Sequence, residues 1–531
     1  MLELAGDAQN LLCGGVARAV KRDYPNEGSG WVEGVYGFRA MVEDEVRALE
    51  DGSPLSMTGR VFAEESQPLD GDANTIARAT YRCGTFVIAD LPACDWRVRA
   101  TFGGVRREER VELVVNDLPR IRMTLRPDTS KTVEFVVPLD RRRLELCVVP
   151  VEMPGDSSEV LRAELQELSV ERVSRQRAAR PRIFVAADST SQTYFDYERP
   201  QSGWGEWLYW FLYSDHAAKV DHDITSDAKQ SRVFIGNGPT IFNRGLGGRS
   251  LKSYRDEGRL DSLLSQVCPG DICLIQFGCN ETSTNRPMRY IPLDEYRSWV
   301  EDYVDSVCDR DAVPCLITES PLYVEAGRTR PHGVFDDYAQ VAIEVARERG
   351  VAMIDVRALM DQYLLAMPGQ ARDAIYMRLE PMQYACHPTG LKDPIHLTTF
   401  GAKTVAGMVA RGLAASFNGI QVYDEPVVER LDAPAQFCAL IDRIVSGAAV
   451  ALSWQADPRA QYYVIEKRNA QTKRVYARYV SLKPEFLDRM LPGQNRDIEY
   501  ALTAWADTVS SAEALATVTL PSSDNPCIDM D

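Results

Sequence analysis

The sequence predicts a multidomain protein in which an α/β/α three-layer domain on a parallel sheet is flanked by two β-sandwiches. Three observations carry this. Between about residues 31 and 175, short runs alternate apolar and polar residues and are bounded by turn formers. Near Arg180 the pattern changes to apolar runs separated by helical periodicity, and from about Asp432 the alternation returns. A length of 531 residues fits about three domains at roughly 150 residues each. The expected divisions are an N-terminal extension over 1–30, a sandwich over 31–175, the α/β domain over 181–420, a second sandwich over 432–521 and a tail over 522–531.

In the first sandwich, Thr85 to Ala89, Trp96 to Phe102, Arg110 to Val115 and Thr132 to Val137 have the period of two that half-buried strands require. Glu159 to Val173 is ambiguous, because Leu161, Leu165 and Leu168 sit at helical spacing while Leu168 and Val170 alternate; the expectation is a last strand over Leu168 to Val173. In the middle domain, Arg182 to Ala187, Asp271 to Phe277, Ala312 to Thr318 and Val351 to Asp355 read as buried strands. Leu293 to Val307, Phe335 to Arg349 and Thr399 to Ala415 read as helices. Strands alternating with helices predict a parallel sheet covered on both faces, whose ligand lies at the carboxyl ends of the strands. In the last domain, Val450 to Trp454, Tyr462 to Lys467, Tyr500 to Trp505 and Ala516 to Leu520 are spaced like strands of a small sandwich, with Trp454 in its core.

Composition narrows the function. The net charge of −17 opposes nucleic-acid binding, which needs clustered Lys and Arg; Arg141, Arg142 and Arg143 form the one basic run and read as a solvated loop. No stretch approaches the ~20 apolar residues of a membrane helix, and Met1 to Val20 lacks the pattern of an export signal, so the expectation is a cytoplasmic protein, with secretion the alternative if the N-terminus is incomplete. Twelve Cys without a CxxC pair, among them Cys147, Cys273 and Cys315 inside apolar runs, read as buried thiols; Cys83 and Cys94 could face one another across a hairpin. His216 and His222 have no ligand cluster around them, and no phosphate-cradling glycine loop ends in Lys-Ser or Lys-Thr, so no metal and no cofactor is expected.

Four blocks remain that can carry chemistry. Ala187-Asp188-Ser189-Thr190 leaves the first strand of the middle domain, where a hydroxyl can face a ligand; a helix cap is the commoner meaning of such a tetrapeptide. Asp393-Pro394-Ile395-His396 offers an imidazole base and a carboxylate from one segment, read as a loop, and a serine nucleophile needs both. Asn243 to Ser250, with Gly245, Gly247 and Gly248, and Gln276 to Glu281, with Gly278 and Asn280, follow the next strands and can supply N–H donors to a developing oxyanion.

Together these blocks resemble the SGNH, or GDSL-type, hydrolases, with Ser189, Gly248, Asn280 and His396 in the family's order. Gly203-Trp204-Gly205-Glu206, Gly247 to Ser250 and Glu257-Gly258-Arg259 resemble the rhamnogalacturonan acetylesterase-like subgroup, over about residues 181 to 417. The resemblance implies a flavodoxin-like α/β fold and a catalytic triad of Ser189, His396 and Asp393. It also implies an oxyanion hole from the N–H groups of Ser189 and Gly248 and the amide of Asn280. Three positions depart from the subgroup: Ala187 stands for Gly, Cys279 for His and Glu281 for Asp. A methyl at Ala187 is tolerated at negative φ; Cys279 alters a neighbour of the site.

Gly34 to Phe38, Leu91-Pro92, Trp96 and Thr101 to Gly103 resemble a galactose-binding-like sandwich, and Leu491 with Tyr500 resembles the late-strand corner of fibronectin type III domains. Trp31, Tyr36 and Trp96 are expected in the core ahead of any sugar contact. Trp204, Arg249 and Cys279 are the candidate substrate contacts; Trp204 and Trp207 either line the cleft or cover the sheet edge. The implied function is a cofactor-independent serine esterase that removes acetyl groups from a pectic or related plant oligosaccharide, with no nucleic-acid or membrane partner. An esterase, lipase or thioesterase for another acyl group, and a non-catalytic carbohydrate-binding protein with a decayed hydrolase domain, are the alternatives.

Overall fold

In a computed structural model, the protein is described over residues 94–116, 118–139, 144–150, 160–325, 332–367, 372–444, 447–489 and 497–520, and, ahead of these, over strands between 8 and 88. Gly34 to Phe38, Cys83, Leu91-Pro92, Arg141 to Arg143, Leu491 and the tail lie outside the described residues. The chain divides into two compact units, one of Met1–Arg177 with Ser306–Asp311, the other of Ala178–Asp305 with Ala312–Asp531.

The first unit holds two six-stranded sheets. Val98, Ala100, Phe102, Leu165 and Leu168 of one face Val111, Leu113, Val115, Leu146 and Val148 of the other, in one buried core that also takes Trp96. The ambiguous segment is a single strand, Val160–Val173, longer than the expected Leu168 to Val173. Its register against Asp95–Gly103 shifts between Leu165 and Glu167. A bulge inserts one residue and reverses which side chains face inward, so Leu165 and Leu168 are both fully buried although three apart. The helical spacing of these leucines is the imprint of that bulge.

The second unit is built on a seven-stranded sheet in the order Lys219–His222, Arg232–Ile235, Thr240–Asn243, Arg182–Ala187, Ile272–Gln276, Val313–Ile317, Ala352–Ile354. The last five run parallel. The first two are antiparallel, which corrects the expectation of a purely parallel sheet. An antiparallel edge needs no helical crossover, and Lys219, Val220 and His222 are exposed, so this edge carries no continuous apolar run that would reveal it. Helices Leu293–Cys308, Val334–Arg349 and Thr399–Ser416 match the predicted spans to within a residue.

Beyond residue 437, a three-stranded sheet (Cys438–Ile444, Gly447–Ser453, Glu485–Arg489) and a five-stranded sheet that includes Tyr462–Asn469 and Asp497–Ala506 enclose a core of their own. Trp454 is buried there, edge-on to Tyr463 and Phe437. Tyr462 and Val464 turn the other way and join the buried core of the α/β sheet, where Tyr462 packs 5.2 Å from Phe400 between ring centroids.

Candidate active site

Arg182–Ala187 is buried from Ile183 onward, between two parallel neighbours. The chain must leave the sheet after Ala187, and it does so through Asp188, which bends the turn by accepting the backbone N–H and the hydroxyl of Thr190 at 2.9 and 3.0 Å. Ala187 keeps a negative φ, so the methyl that replaces the subgroup's glycine adds no backbone strain. Ser189 thus stands at the carboxyl end of the strand. Its carbonyl accepts the hydroxyl of Tyr194 at 3.0 Å, and its Oγ lies 3.0 Å from Nε2 of His396, 207 positions later.

Asp393 and His396 lie on a strand, Leu391–Thr398, and not on the loop expected from the sequence. The strand pairs with Gln201–Ser202 and with Tyr376–Leu379 in a small antiparallel sheet. Helix Thr399–Ser416 begins at once behind it, capped by the Thr398 hydroxyl on the Gly401 N–H at 3.2 Å. Proline at 394 and a strand of mixed exposure hid it in the sequence. Oδ1 of Asp393 accepts the backbone N–H groups of Ile395 and His396 at 2.8 and 3.0 Å, and Oδ2 accepts Nδ1–H of His396 at 2.7 Å. An ionised carboxylate only accepts, so the imidazole proton sits on Nδ1 and Nε2 is free to accept from Ser189.

Burial favours neutral Asp393, but the hydrogen bond and charge of His396 and the two N–H donors outweigh it and hold the carboxyl down at about 2. Burial lowers the His396 pKa in turn, and Asp393 and the charge of Asp188 raise it, the rise prevailing.

The two glycine- and asparagine-bearing turns meet the serine from the neighbouring strands. Gly248 has φ +75°, and a Cβ there would lie 2.8 Å from the Arg289 guanidinium, so only glycine fits without strain. The preceding N–H, of Gly247, is held by Gln192 Oε1 at 2.6 Å. Asn280 gives one amide hydrogen to Asp188 Oδ2 at 2.9 Å, which fixes the plane of the amide and leaves its second hydrogen. Among the described residues no acceptor takes the N–H of Ser189 or Gly248. Glu281, fully buried, accepts the N–H of Leu251 at 2.8 Å and of Gly278 at 2.9 Å, and so ties the two turns together. Burial pushes its carboxyl up to about 8 despite these donors.

One of the candidate substrate contacts is corrected. Trp204 is fully buried, with its indole N–H donated to Gln276 Oε1 at 2.6 Å, so no face is left for a ligand. Its motif is a brace: a Cβ on Gly203 would clash with the Gln192 carbonyl, and Glu206 accepts from Arg199 and Ser202 behind the turn that carries Ser189. Trp207 is partly buried, with Lys403 4.6 Å over its ring, and serves as cover. Arg249 turns Nε to Glu257 and Nη1 to the Gly247 carbonyl, clamping the turn. Cys279 remains beside the site; burial, with the carboxyl groups of Asp188, Glu319, Glu281 and Asp393 close by, pushes its thiol well above the ordinary range. His216 stacks on Trp210, and His222 is exposed at the sheet edge.

Two residues at the site escaped the sequence reading. Glu319 follows a buried strand at the same carboxyl end as Ser189 and Asn280, a position that could have flagged it. Arg289 lies in the turn-rich segment ahead of helix Leu293–Cys308, and no periodicity marks it.

No family model matches the chain. It is 30% identical over 233 residues to the probable rhamnogalacturonan acetylesterase YesY of Bacillus subtilis (strain 168), spanning 44% of this chain and 91% of that one. It is 25% identical to the rhamnogalacturonan acetylesterase RhgT of the same organism, over 44% of this chain and 88% of that one. The crystal structure of YxiM from B. subtilis is similar with a TM-score of 0.37 and 18% identity, over 74% of this chain and 92% of that one.

Proposed function

This chain belongs to the rhamnogalacturonan acetylesterase-like branch of the SGNH hydrolases and is a carboxylic ester hydrolase, and we propose that it removes acetyl groups from pectic, rhamnogalacturonan-type oligosaccharides through an acyl-enzyme. The observation that carries the reading is the run of hydrogen bonds from Ser189 Oγ through His396 to Asp393, at 3.0 and 2.7 Å.

Ser189 Oγ attacks the acetyl carbonyl carbon as its proton passes to His396 Nε2, and Asp393 stabilises the imidazolium. The carbonyl oxygen takes up the electron pair and faces the N–H groups of Ser189 and Gly248 and the free amide hydrogen of Asn280. Collapse breaks the bond to the sugar oxygen, which leaves as an alcohol with the proton from His396. Water, deprotonated by the same Nε2, then releases acetate and restores Ser189. The proton that departs with the alcohol is replaced by one from water, so serine and imidazole end as they began and the cycle needs no cofactor. Cys279 and Ala187 leave these roles filled, which argues against a decayed, purely binding protein.

The flanking sheets fit a galactose-binding-like domain over 31–175 and a fibronectin type III-like domain over 432–521, around a hydrolase domain at 181–420. Ser189→Ala tests the chemistry: hydrolysis of p-nitrophenyl acetate should fall by about 10⁶, and turnover that survives overturns the assignment. A preference for acyl chains longer than four carbons overturns the acetyl reading alone.

A further inference from the structure

The arginines around the glycine-bearing turn are paired with acids, except at one corner. Arg244 meets Asp223, Arg249 meets Glu257, Arg255 meets Asp302 and Arg259 meets both Asp227 and Glu257. Arg289 and Arg286 form no ion pair with the described residues, in a chain of net charge −17. The Arg289 guanidinium lies against Gly248, within 2.9 Å of where a Cβ would stand. Burial, then the positive charges of Arg286 and Arg249, weaken its hold on its proton, and only Glu257 offsets them. Crowded guanidinium groups beside an acyl site call for an anion, and the planar fork of arginine matches a carboxylate.

We propose that Arg289, supported by Arg286, receives the carboxylate of a uronic acid residue adjoining the acetylated sugar. The inference rests on the acetylesterase reading above and deepens it: an acetylated oligosaccharide that carries uronate is preferred to a neutral one. The selection acts in binding, because the carboxylate keeps its charge throughout the reaction and contributes equally to ground and transition states.

The test compares kcat/KM of the full chain on acetylated galacturonate oligomers and on acetylated xylo-oligosaccharides, for wild type, R289Q and R286Q. R289Q should lower the ratio of the two by about 10–100-fold, chiefly through KM on the acidic substrate, as expected for a lost charge-assisted hydrogen bond. R286Q should lower it by a few fold, and added salt should narrow the wild-type ratio. An unchanged ratio in R289Q overturns the subsite whatever the absolute rates, as does equal loss on both substrates. If p-nitrophenyl acetate is hydrolysed in a Ser189-dependent manner but neither saccharide is, the substrate class and the subsite fall together. Survival of Ser189→Ala activity strikes the nucleophile assignment alone.

A second inference comes from a hydroxyl with more acceptors than protons. Thr190 Oγ lies 3.0 Å from Asp188 Oδ1, 3.1 Å from Gln276 Oε1 and 3.2 Å from Glu319 Oε2. Gln276 Oε1 is already served by the Trp204 indole, and its amide nitrogen donates to the Thr318 carbonyl. Oε1 of Glu319 has no partner among the described residues, an arrangement far costlier for a carboxylate than for a neutral acid. We infer that Glu319 is a protonated positioning residue: it donates to Thr190, Thr190 donates to Asp188, and Asp188 holds the Asn280 amide. The titratable groups facing it are Asp188 and Glu281, with Tyr296 and Cys279 close by, and burial, then the neighbouring carboxyl of Asp188, favours its neutral form.

E319Q keeps a donor to Thr190 and should hold kcat on p-nitrophenyl acetate within about threefold, whereas E319A should lose about tenfold, the worth of one hydrogen bond. The infrared difference between wild type and E319Q should contain the carbonyl stretch of a protonated carboxyl. A carboxylate band in its place, or E319Q as impaired as E319A, overturns the inference.

Discussion

Asp393 binds His396 twice, through the imidazole Nδ1–H at Oδ2 and through the backbone N–H at Oδ1. The ring is therefore fixed in tautomer by one bond and in position by the other. Asp393→Asn keeps the shape but presents an amide, which stabilises the other tautomer. It should lower kcat on p-nitrophenyl acetate by about 10⁴ with little change in KM, read in steady-state assays beside the wild type.

The pH profile follows from the same pair. Burial lowers the His396 pKa, Asp393 and Asp188 more than restore it, and the net value lies above 6.5. Only the neutral ring accepts the serine proton, so kcat/KM should fall as pH drops through a value above 6.5. Asp393, near 2, stays ionised over that range. Asp393→Asn removes the main raising influence, so the acid limb should move to lower pH in a profile between pH 4 and 9.

Asn280 is held by Asp188 with one hydrogen left over. On the proposed mechanism, Asn280→Ala removes a donor to the developing oxyanion and should cost about 10²–10³ in kcat. Gly248→Ala forces a side chain into φ +75° against Arg289 and should cost about 1–2 kcal/mol in stability besides activity. Denaturation midpoints separate the two variants, since Asn280→Ala should leave the midpoint nearly unchanged.

The thiol of Cys279 stays protonated beside four carboxyl groups, and a thiol without thiolate character is a poor nucleophile. Iodoacetamide at pH 8 should spare Cys279 in the folded protein while modifying the exposed Cys308, as peptide mass mapping would read. Rapid loss of activity through Cys279 alkylation would contradict this environment.

Tyr462 belongs to the strands beyond residue 432, yet it is fully buried in the core under the α/β sheet, against Phe400 and stacked on Trp505. Tyr462→Ala should cost about 3–5 kcal/mol. Esterase activity should be lost at the same lowered temperature at which the circular dichroism of the sheets changes.

How much of this was readable beforehand depends on whether a residue's role was local. Ser189, Gly248, Asn280, Asp393 and His396 could be picked out because each follows a buried run or sits in a short motif of the residue types that acyl transfer uses, and the fold joins Ser189, His396 and Asp393 by hydrogen bonds. The helix Thr399–Ser416 was legible from periodicity alone. The bulge at Gln166 was not, since a one-residue insertion mimics the spacing of a helix. Trp204 misled because an aromatic in a motif looks like a binding residue, while its partner Gln276 lies 72 positions away. Arg249 and Arg289 look equivalent in sequence; only the fold distinguishes them, pairing Arg249 with Glu257 and giving Arg289 no acid among the described residues.

The shared packing around Tyr462 has a cost during synthesis. The helix that carries Phe400 is complete some fifty residues before the strand bearing Tyr462 leaves the ribosome, a delay of about 3–10 s at ordinary elongation rates. Throughout that interval the nascent chain already holds Ser189, Asp393 and His396 but exposes an oily flank. Shielding by a chaperone, or slow translation of the connecting stretch, would then govern the yield of active enzyme, and trimming the chain after residue 431 would make that vulnerable interval permanent.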